Sequence, residues 1–148
     1  MTTATVVNTI SIRRPILDVF ETLTNAENTE KWFPGNVKEW WTTEPPTRVG
    51  SVRHAVAKVL WFRNENDGEV TVYEPPSRAV LRIDAPGMPY EVSVAFTFAE
   101  GATRVVVTSD ISFSGIRRFM APLVMPIFRT AWERGLANLK RLMESGQL

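Results

Sequence analysis

The strongest constraint on the fold is a run of six short strand-like segments between Val37 and Phe113, separated by turn-forming residues. Proline, glycine and clustered polar residues at the breaks favour turns and disfavour central strands. Connections this short predict antiparallel hairpins, because parallel neighbours need crossovers of a dozen residues or more. We therefore expect a meander, with a hairpin loop at Asn64 to Gly68 and strands at Val37 to Thr43, Ser51 to Trp61, Glu69 to Glu74, Arg78 to Asp84, Tyr90 to Ala99 and Thr103 to Phe113.

The segment that precedes the meander predicts one strand and two short helices. Thr5 to Ile12 alternates in strand fashion and stops before Pro15, which suits the first turn of a helix. Apolar residues then recur at helical spacing as far as Leu23. Asn25 can cap a second short helix over Ala26 to Trp32, which ends at a Pro-Gly turn.

The chain after Gly115 changes to helical periodicity, with apolar residues at i, i+3 and i+4. An interior proline costs about 3 kcal/mol, so the regular helix is predicted from about Pro126 to Glu144. We expect the segment Met120 to Met125, together with Phe119, to pack in the core and not to form a membrane-docking surface. The prolines of this region are also compatible with a mobile lid.

This order of elements predicts an α+β domain of helix-grip type over residues 1–148. About seven antiparallel strands would form a curved sheet, whose apolar face only the C-terminal helix is long enough to cover. In the strand Tyr90 to Ala99, the side chains of Val92, Val94, Phe96 and Phe98 share one face, which we expect to point inward. The space between sheet and helix could be filled by side chains or left as a pocket.

The composition excludes several classes of function. The chain has no cysteine and one histidine, so disulfides, thiolate catalysis and multi-histidine metal sites are ruled out. The formal charge of +1, from 17 basic and 16 acidic residues, argues against nucleic acid as a partner. No apolar run predicts stable membrane insertion and no secretory signal is visible, so a cytoplasmic protein is expected. No cofactor is predicted.

Several segments resemble the START-like SRPBCC superfamily, and in particular its polyketide cyclase/dehydrase-like branch. They are Arg14 to Asn25, Trp32, Tyr73 to Pro76, the turn and strand at Gly101 to Val107, and the closing helix at Leu136 to Glu144. The resemblance spans nearly the whole chain and implies a hydrophobic ligand cavity. The superfamily includes lipid carriers, aromatic polyketide cyclases, hormone receptors and chaperone activators. No motif in this sequence matches the polar residues that cyclases of this branch use to position their substrates.

Large aromatic side chains and the single histidine are the candidate site residues. His54 shares a strand face with Val52 and Val56, and if that face points inward it is a weak candidate for an acid or base. The ring side chains could line a pocket or fill the core. The predicted ligand-binding residues are Trp41, His54, Trp61, Tyr73, Tyr90, Phe96, Phe128 and Trp132.

Three functions remain open from the sequence. The leading hypothesis is a module that binds a small hydrophobic molecule, such as a lipid, an isoprenoid or an aromatic, polyketide-like metabolite. The second is a cyclase or dehydratase in which His54 acts with Tyr73 or Tyr90 on a substrate in the same cavity. The third is a protein partner like the chaperone activators, which requires an exposed apolar patch.

Overall fold

A computed structural model describes residues 2–59, 62–85 and 87–148, without the side chains of residues 59 and 62. These residues form one antiparallel sheet of seven strands. The strands are β1 (Thr2–Ile12), β2 (Asn36–Trp41), β3 (Val52–Val59), β4 (Phe62–Glu74), β5 (Arg78–Ile83), β6 (Tyr90–Ala99) and β7 (Ala102–Phe113). The helices are α1 (Ile16–Thr24), α2 (Thr29–Trp32) and α3 (Ala121–Glu144), with short 3₁₀ helices at Ala26–Asn28 and Gly115–Met120.

The strand order β1-β7-β6-β5-β4-β3-β2 confirms the predicted meander. Consecutive strands from β2 to β7 are neighbours, and β1 adds to the far edge by pairing with β7. This last pairing runs in register from Thr2 opposite Phe113 to Ile12 opposite Thr103. Together with the long C-terminal helix and the short helices after β1, this is the helix-grip architecture that the sequence predicts.

The hydrophobic core lies between β5–β7, α1 and the C-terminal half of α3. Val105, Val107 and Leu139 are completely buried, and Leu136 and Met143 keep 2% and 1% of their surface. Val92, Val94 and Phe96 point inward as predicted. Phe98 does not follow them and is 52% exposed, because it lies near the end of β6 beside the turn at Glu100 and Gly101.

The N-terminal half of α3 differs from the prediction in two ways. The helix begins at Ala121 and continues through Pro126, so that proline removes one hydrogen bond without ending the helix. The expectation that this segment belongs to the core is wrong, since Phe119 and Leu123 are 69% and 70% exposed. The C-terminal half of the helix packs in the core, with Leu136, Leu139 and Met143 buried.

The predicted loop at Asn64 to Gly68 is also wrong, because those residues lie inside β4. They stay in the ladder through cross-strand pairing with β3, from Gly68 opposite Arg53 to Asn64 opposite Ala57. The pairing of the two strands extends to Val59 opposite Phe62. Turn-type composition was therefore misleading, since polar side chains can occupy a strand when the facing strand offers partners.

Candidate functional site

A cavity of about 450 Å³ lies between the sheet and the N-terminal half of α3. This volume is within the usual range for small-molecule pockets. One wall is the inner face of β3–β6, and the opposite wall is α3 together with the segment from Trp32 to Asn36. Ile127 lines the cavity and is 53% exposed, so the cavity reaches the surface beside α3. Its apolar lining includes Ala55, Ala57, Val70, Ala79, Leu81, Ile83, Val92, Val94, Val124 and Ala131.

Aromatic rings form two clusters around the cavity. The ring of Trp132 lies 6.0 Å from that of Trp32 and 4.9 Å from that of Phe33, centroid to centroid. The ring of Phe128 meets that of Tyr90 edge to face at 5.3 Å. Such tilted and edge-to-face contacts are favourable and hold flat apolar surfaces at fixed positions.

Five of the predicted ligand-binding residues line this one cavity, namely Trp41, Tyr73, Tyr90, Phe128 and Trp132. Phe96 does not line it and packs in the core behind it, with its ring 5.2 Å from that of Phe20. Trp61 lies outside the described residues. The sequence therefore identified much of the aromatic lining, although contact of these residues with a ligand stays a prediction.

His54 lies on the outer face of β3, so the expectation that it points into the cavity is wrong. Its Nδ1 is 2.8 Å from Asp67 Oδ1 and its Nε2 is 3.4 Å from Glu65 Oε1, both on β4. These hydrogen bonds to the two exposed carboxylates raise the pKa of His54 above its usual value. Trp40 packs against the same imidazole at 4.9 Å. The inner face of β3 instead carries Arg53, Ala55 and Ala57.

A buried ion pair that the sequence analysis missed lies in the cavity wall. Arg53 is 5% exposed, and its Nε is 3.9 Å from Oε1 of Glu39 on β2. One terminal nitrogen of Arg53 donates to the side chain of Asn66 at 2.6 Å and to its carbonyl at 3.3 Å. Glu39 accepts hydrogen bonds from Thr29 at 2.9 Å and from Asn36 at 3.1 Å.

Burial shifts the acidity of the groups in this cluster. The pKa of Glu39 is raised by burial, although the charge of Arg53 and the two hydrogen bonds oppose that shift. The pKa of Tyr90 is likewise raised by burial, while the nearby charge of Arg53 opposes that shift. Tyr90 lines the cavity, so a bound molecule would contact its side chain.

Three polar atoms around the cavity are buried without a hydrogen-bond partner among the described residues. They are Nε of Arg53, Nε1 of Trp32 and Oδ1 of Asn36. An unpaired buried polar atom costs about 1–3 kcal/mol, so such groups are uncommon unless something else binds them. The cavity therefore combines an apolar lining with a small number of polar groups that a guest molecule or water can satisfy.

The sequence does contain a signal for this cluster. Arg53, Ala55 and Ala57 alternate with Val52, His54 and Val56, and the valines made the second set look like the inner face. The actual inner face has small residues because an open cavity needs space rather than bulk. Because a buried charge needs a partner, Glu39 on the adjacent predicted strand was the available counter-charge for Arg53.

The described part of the chain contains neither a metal-binding cluster nor a membrane-spanning helix. No group of three or more histidine or carboxylate side chains there could hold a metal ion. None of the described helices has the length and apolar character needed to cross a bilayer.

Comparison with known proteins identifies the family of the chain. The model of the family described as "Polyketide cyclase / dehydrase and lipid transport" matches residues 3–144. No curated protein matches the chain significantly.

Solved structures with low sequence identity share the fold. Protein TTHA0849 from Thermus thermophilus superposes with a TM-score of 0.81 at 15% identity, covering 98% of this chain and 100% of that one. An uncharacterized protein from Rhizobium leguminosarum gives 0.73 at 20% identity, covering 97% and 96%. Ara h 8.0201 gives 0.63 at 13% identity, covering 93% and 100%, and places the fold in the Bet v 1-like group. The family match covers nearly the whole chain, which therefore belongs to the polyketide cyclase/dehydrase and lipid transport family.

Proposed function

We propose that this protein binds a small hydrophobic molecule in the cavity between β3–β6 and α3. The observation that carries the proposal is the cavity itself, which persists although large aromatic side chains surround it. Alanines at positions 55, 57, 79 and 131 line it, where larger apolar residues would have filled the space. The family description supports binding of hydrophobic molecules in general terms. Lipids, isoprenoids and aromatic or polyketide-like metabolites are the ligand classes that suit such a lining.

The enzymatic alternative loses its proposed base. A cyclase or dehydratase that uses His54 requires the imidazole within reach of Tyr73 or Tyr90. His54 instead hydrogen-bonds to carboxylates on the outer face of β4. Proton transfer in the cavity would have to use Tyr90 or Glu39, and binding without turnover explains the apolar lining more simply.

Fluorescence titration with N-phenyl-1-naphthylamine, an apolar dye that brightens in hydrophobic sites, tests the proposal. We expect saturable binding to the wild-type chain and its loss in Ala57→Trp, which fills the cavity from β3. Ala99→Trp adds the same ring at an exposed position at the end of β6 and should bind like wild type. Native mass spectrometry of the gently purified protein would reveal a retained ligand. Equal dye binding by both variants would contradict the proposal.

A further inference from the structure

The buried guanidinium of Arg53 has a donor for which the described residues supply no acceptor. Arg53 is more than nine-tenths buried and lines the cavity, and its Nε has no hydrogen-bond partner among the described residues. Oε1 of Glu39 lies 3.9 Å away, which is too far for a hydrogen bond. A bound molecule with an oxygen atom at this place would satisfy the donor and remove the cost of leaving it unpaired.

The hydroxyl of Tyr90 adds a second donor beside the first. The charge of Arg53 acts on the phenol of Tyr90, and both side chains line the cavity. A phenol hydroxyl carries one donor proton, which an acceptor atom of a bound molecule can take up. Two adjacent donors are complementary to a single acceptor oxygen.

The charge balance selects a neutral oxygen. Glu39 already places one carboxylate beside the buried cation of Arg53, and both side chains are at most 10% exposed. A ligand carboxylate would add a second buried anion, which is costly without a second cation. A carbonyl oxygen accepts both hydrogen bonds and adds no charge. We propose that the cavity binds hydrophobic molecules that carry a neutral carbonyl group, which Arg53 and Tyr90 hold; this specificity rests on the proposed function.

Three naphthalene derivatives of nearly equal shape test the inference by displacement of N-phenyl-1-naphthylamine. They are 2-isopropylnaphthalene, 2-acetylnaphthalene and 2-naphthoate, which differ in the polarity and charge of one substituent. Hydrogen bonds to charged groups contribute about 1.5–3 kcal/mol, so we expect the acetyl compound to bind about 10- to 100-fold more tightly than the isopropyl compound. We expect 2-naphthoate to bind more weakly than the acetyl compound at pH 7.

Two variants assign the preference to the ion pair. Arg53→Met should remove the advantage of the acetyl compound and leave binding of the isopropyl compound. Glu39→Gln keeps an amide for Thr29 and Asn36 while it removes the negative charge, so 2-naphthoate should become the tightest ligand. Equal affinity for the isopropyl and acetyl compounds in wild type would overturn this inference but not the proposed function. Absence of binding by all three compounds and by the dye would overturn the proposed function itself.

A second, independent observation concerns the surface beside the mouth of the cavity. Five large apolar side chains from the last 3₁₀ helix and the start of α3 are exposed, which we call the apolar face. They are Ile116, Phe119, Met120, Leu123 and Ile127, with exposures of 82%, 69%, 45%, 70% and 53%. Contiguous exposed apolar surface of this kind marks an interaction site.

The charge around the apolar face indicates an anionic partner. Residues 111–132 include Arg117, Arg118 and Arg129 and contain no aspartate or glutamate. The guanidinium of Arg118 lies 4.9 Å from the ring centre of Phe119, so cation and apolar side chain are presented together. Basic residues beside exposed apolar side chains are typical of helices that lie in the interface of an anionic bilayer.

The apolar face is continuous with the cavity, because Ile127 belongs to both. We infer that this face docks on the surface of an anionic lipid membrane, so that the cavity mouth opens toward the acyl chains.

Sedimentation with vesicles tests the docking. We expect binding to vesicles that contain phosphatidylglycerol and phosphatidylcholine, weakened by salt, and little binding to pure phosphatidylcholine. The double variant Phe119→Ser, Leu123→Ser should lower the partition coefficient about tenfold or more, because it removes two large apolar side chains. Val49→Ser changes an apolar residue that is 61% exposed elsewhere and should have no effect. Binding unchanged in the double variant, or self-association of the chain in place of vesicle binding, would overturn the docking.

Discussion

Leu139 and Leu123 lie on the same helix, and their replacement by alanine should have very different effects on stability. Leu139 is completely buried in the core, whereas Leu123 is 70% exposed. Leu→Ala at buried sites costs about 2–5 kcal/mol, from lost transfer free energy and the cavity left behind. We expect about 3 kcal/mol for Leu139→Ala, and for Leu123→Ala a change within about 0.5 kcal/mol, since both residues favour helix.

Urea unfolding followed by circular dichroism measures both changes in the free energy of unfolding. For a chain of this size, about 3 kcal/mol corresponds to a fall in Tm of about 6–12 °C. The slope of the transition should stay the same, because the surface exposed on unfolding hardly changes. Similar losses at the two positions would refute the conclusion that only the C-terminal half of α3 packs in the core.

Three titratable groups give further predictions. The pKa of His54, measured by NMR, should lie above 6.5 and should fall in Asp67→Asn. The contact between His54 and Asp67 should stabilise the fold below pH 6.5, and this stabilisation should be lost as the pH rises through the folded-state pKa of His54. Glu144 has a lowered pKa because the backbone N–H of Arg13 and the side chain of Lys140 bind it. Glu144→Gln should therefore lower the urea midpoint at pH 7, and the difference from wild type should disappear as the pH falls from about 4.5 through the folded-state pKa. Absorbance titration of the folded protein should place the pKa of Tyr90 above 10, with the phenol assigned by its absence in Tyr90→Phe.

The architecture could be predicted from the sequence because hairpin turns and helical periodicity are local patterns. The order of strands followed directly from short connections, and the need to cover the apolar face of the sheet placed α3. The position of Phe98 and of the residues 64–68 could not be predicted in this way. Each depends on where a strand ends or what the facing strand offers, which is information from elsewhere in the chain.

The site was harder to predict than the fold. Large apolar residues usually mark the inner face of a strand, but a strand that lines a cavity carries small residues on that face. On β3 the larger apolar residues Val52 and Val56 lie on the face of His54, while Arg53 and Ala55 face the cavity. Irregular pairing added to the difficulty, since β2 shifts register against β3 between Asn36 and Lys38. The aromatic residues were found because their size alone makes them candidates. The ion pair escaped notice because His54 was assigned to the inner face of its strand, which placed the alternating Arg53 on the outer face.

Intermolecular nuclear Overhauser effects between bound N-phenyl-1-naphthylamine and the methyl groups of the protein test the central claim most directly. If the dye enters the space between sheet and helix, its aromatic protons should show effects to Ala55, Ile83 and Val94, which line that space. Effects confined to exposed methyl groups, such as those of Ile116 and Leu123, would show that the dye stays on the surface and would contradict the account.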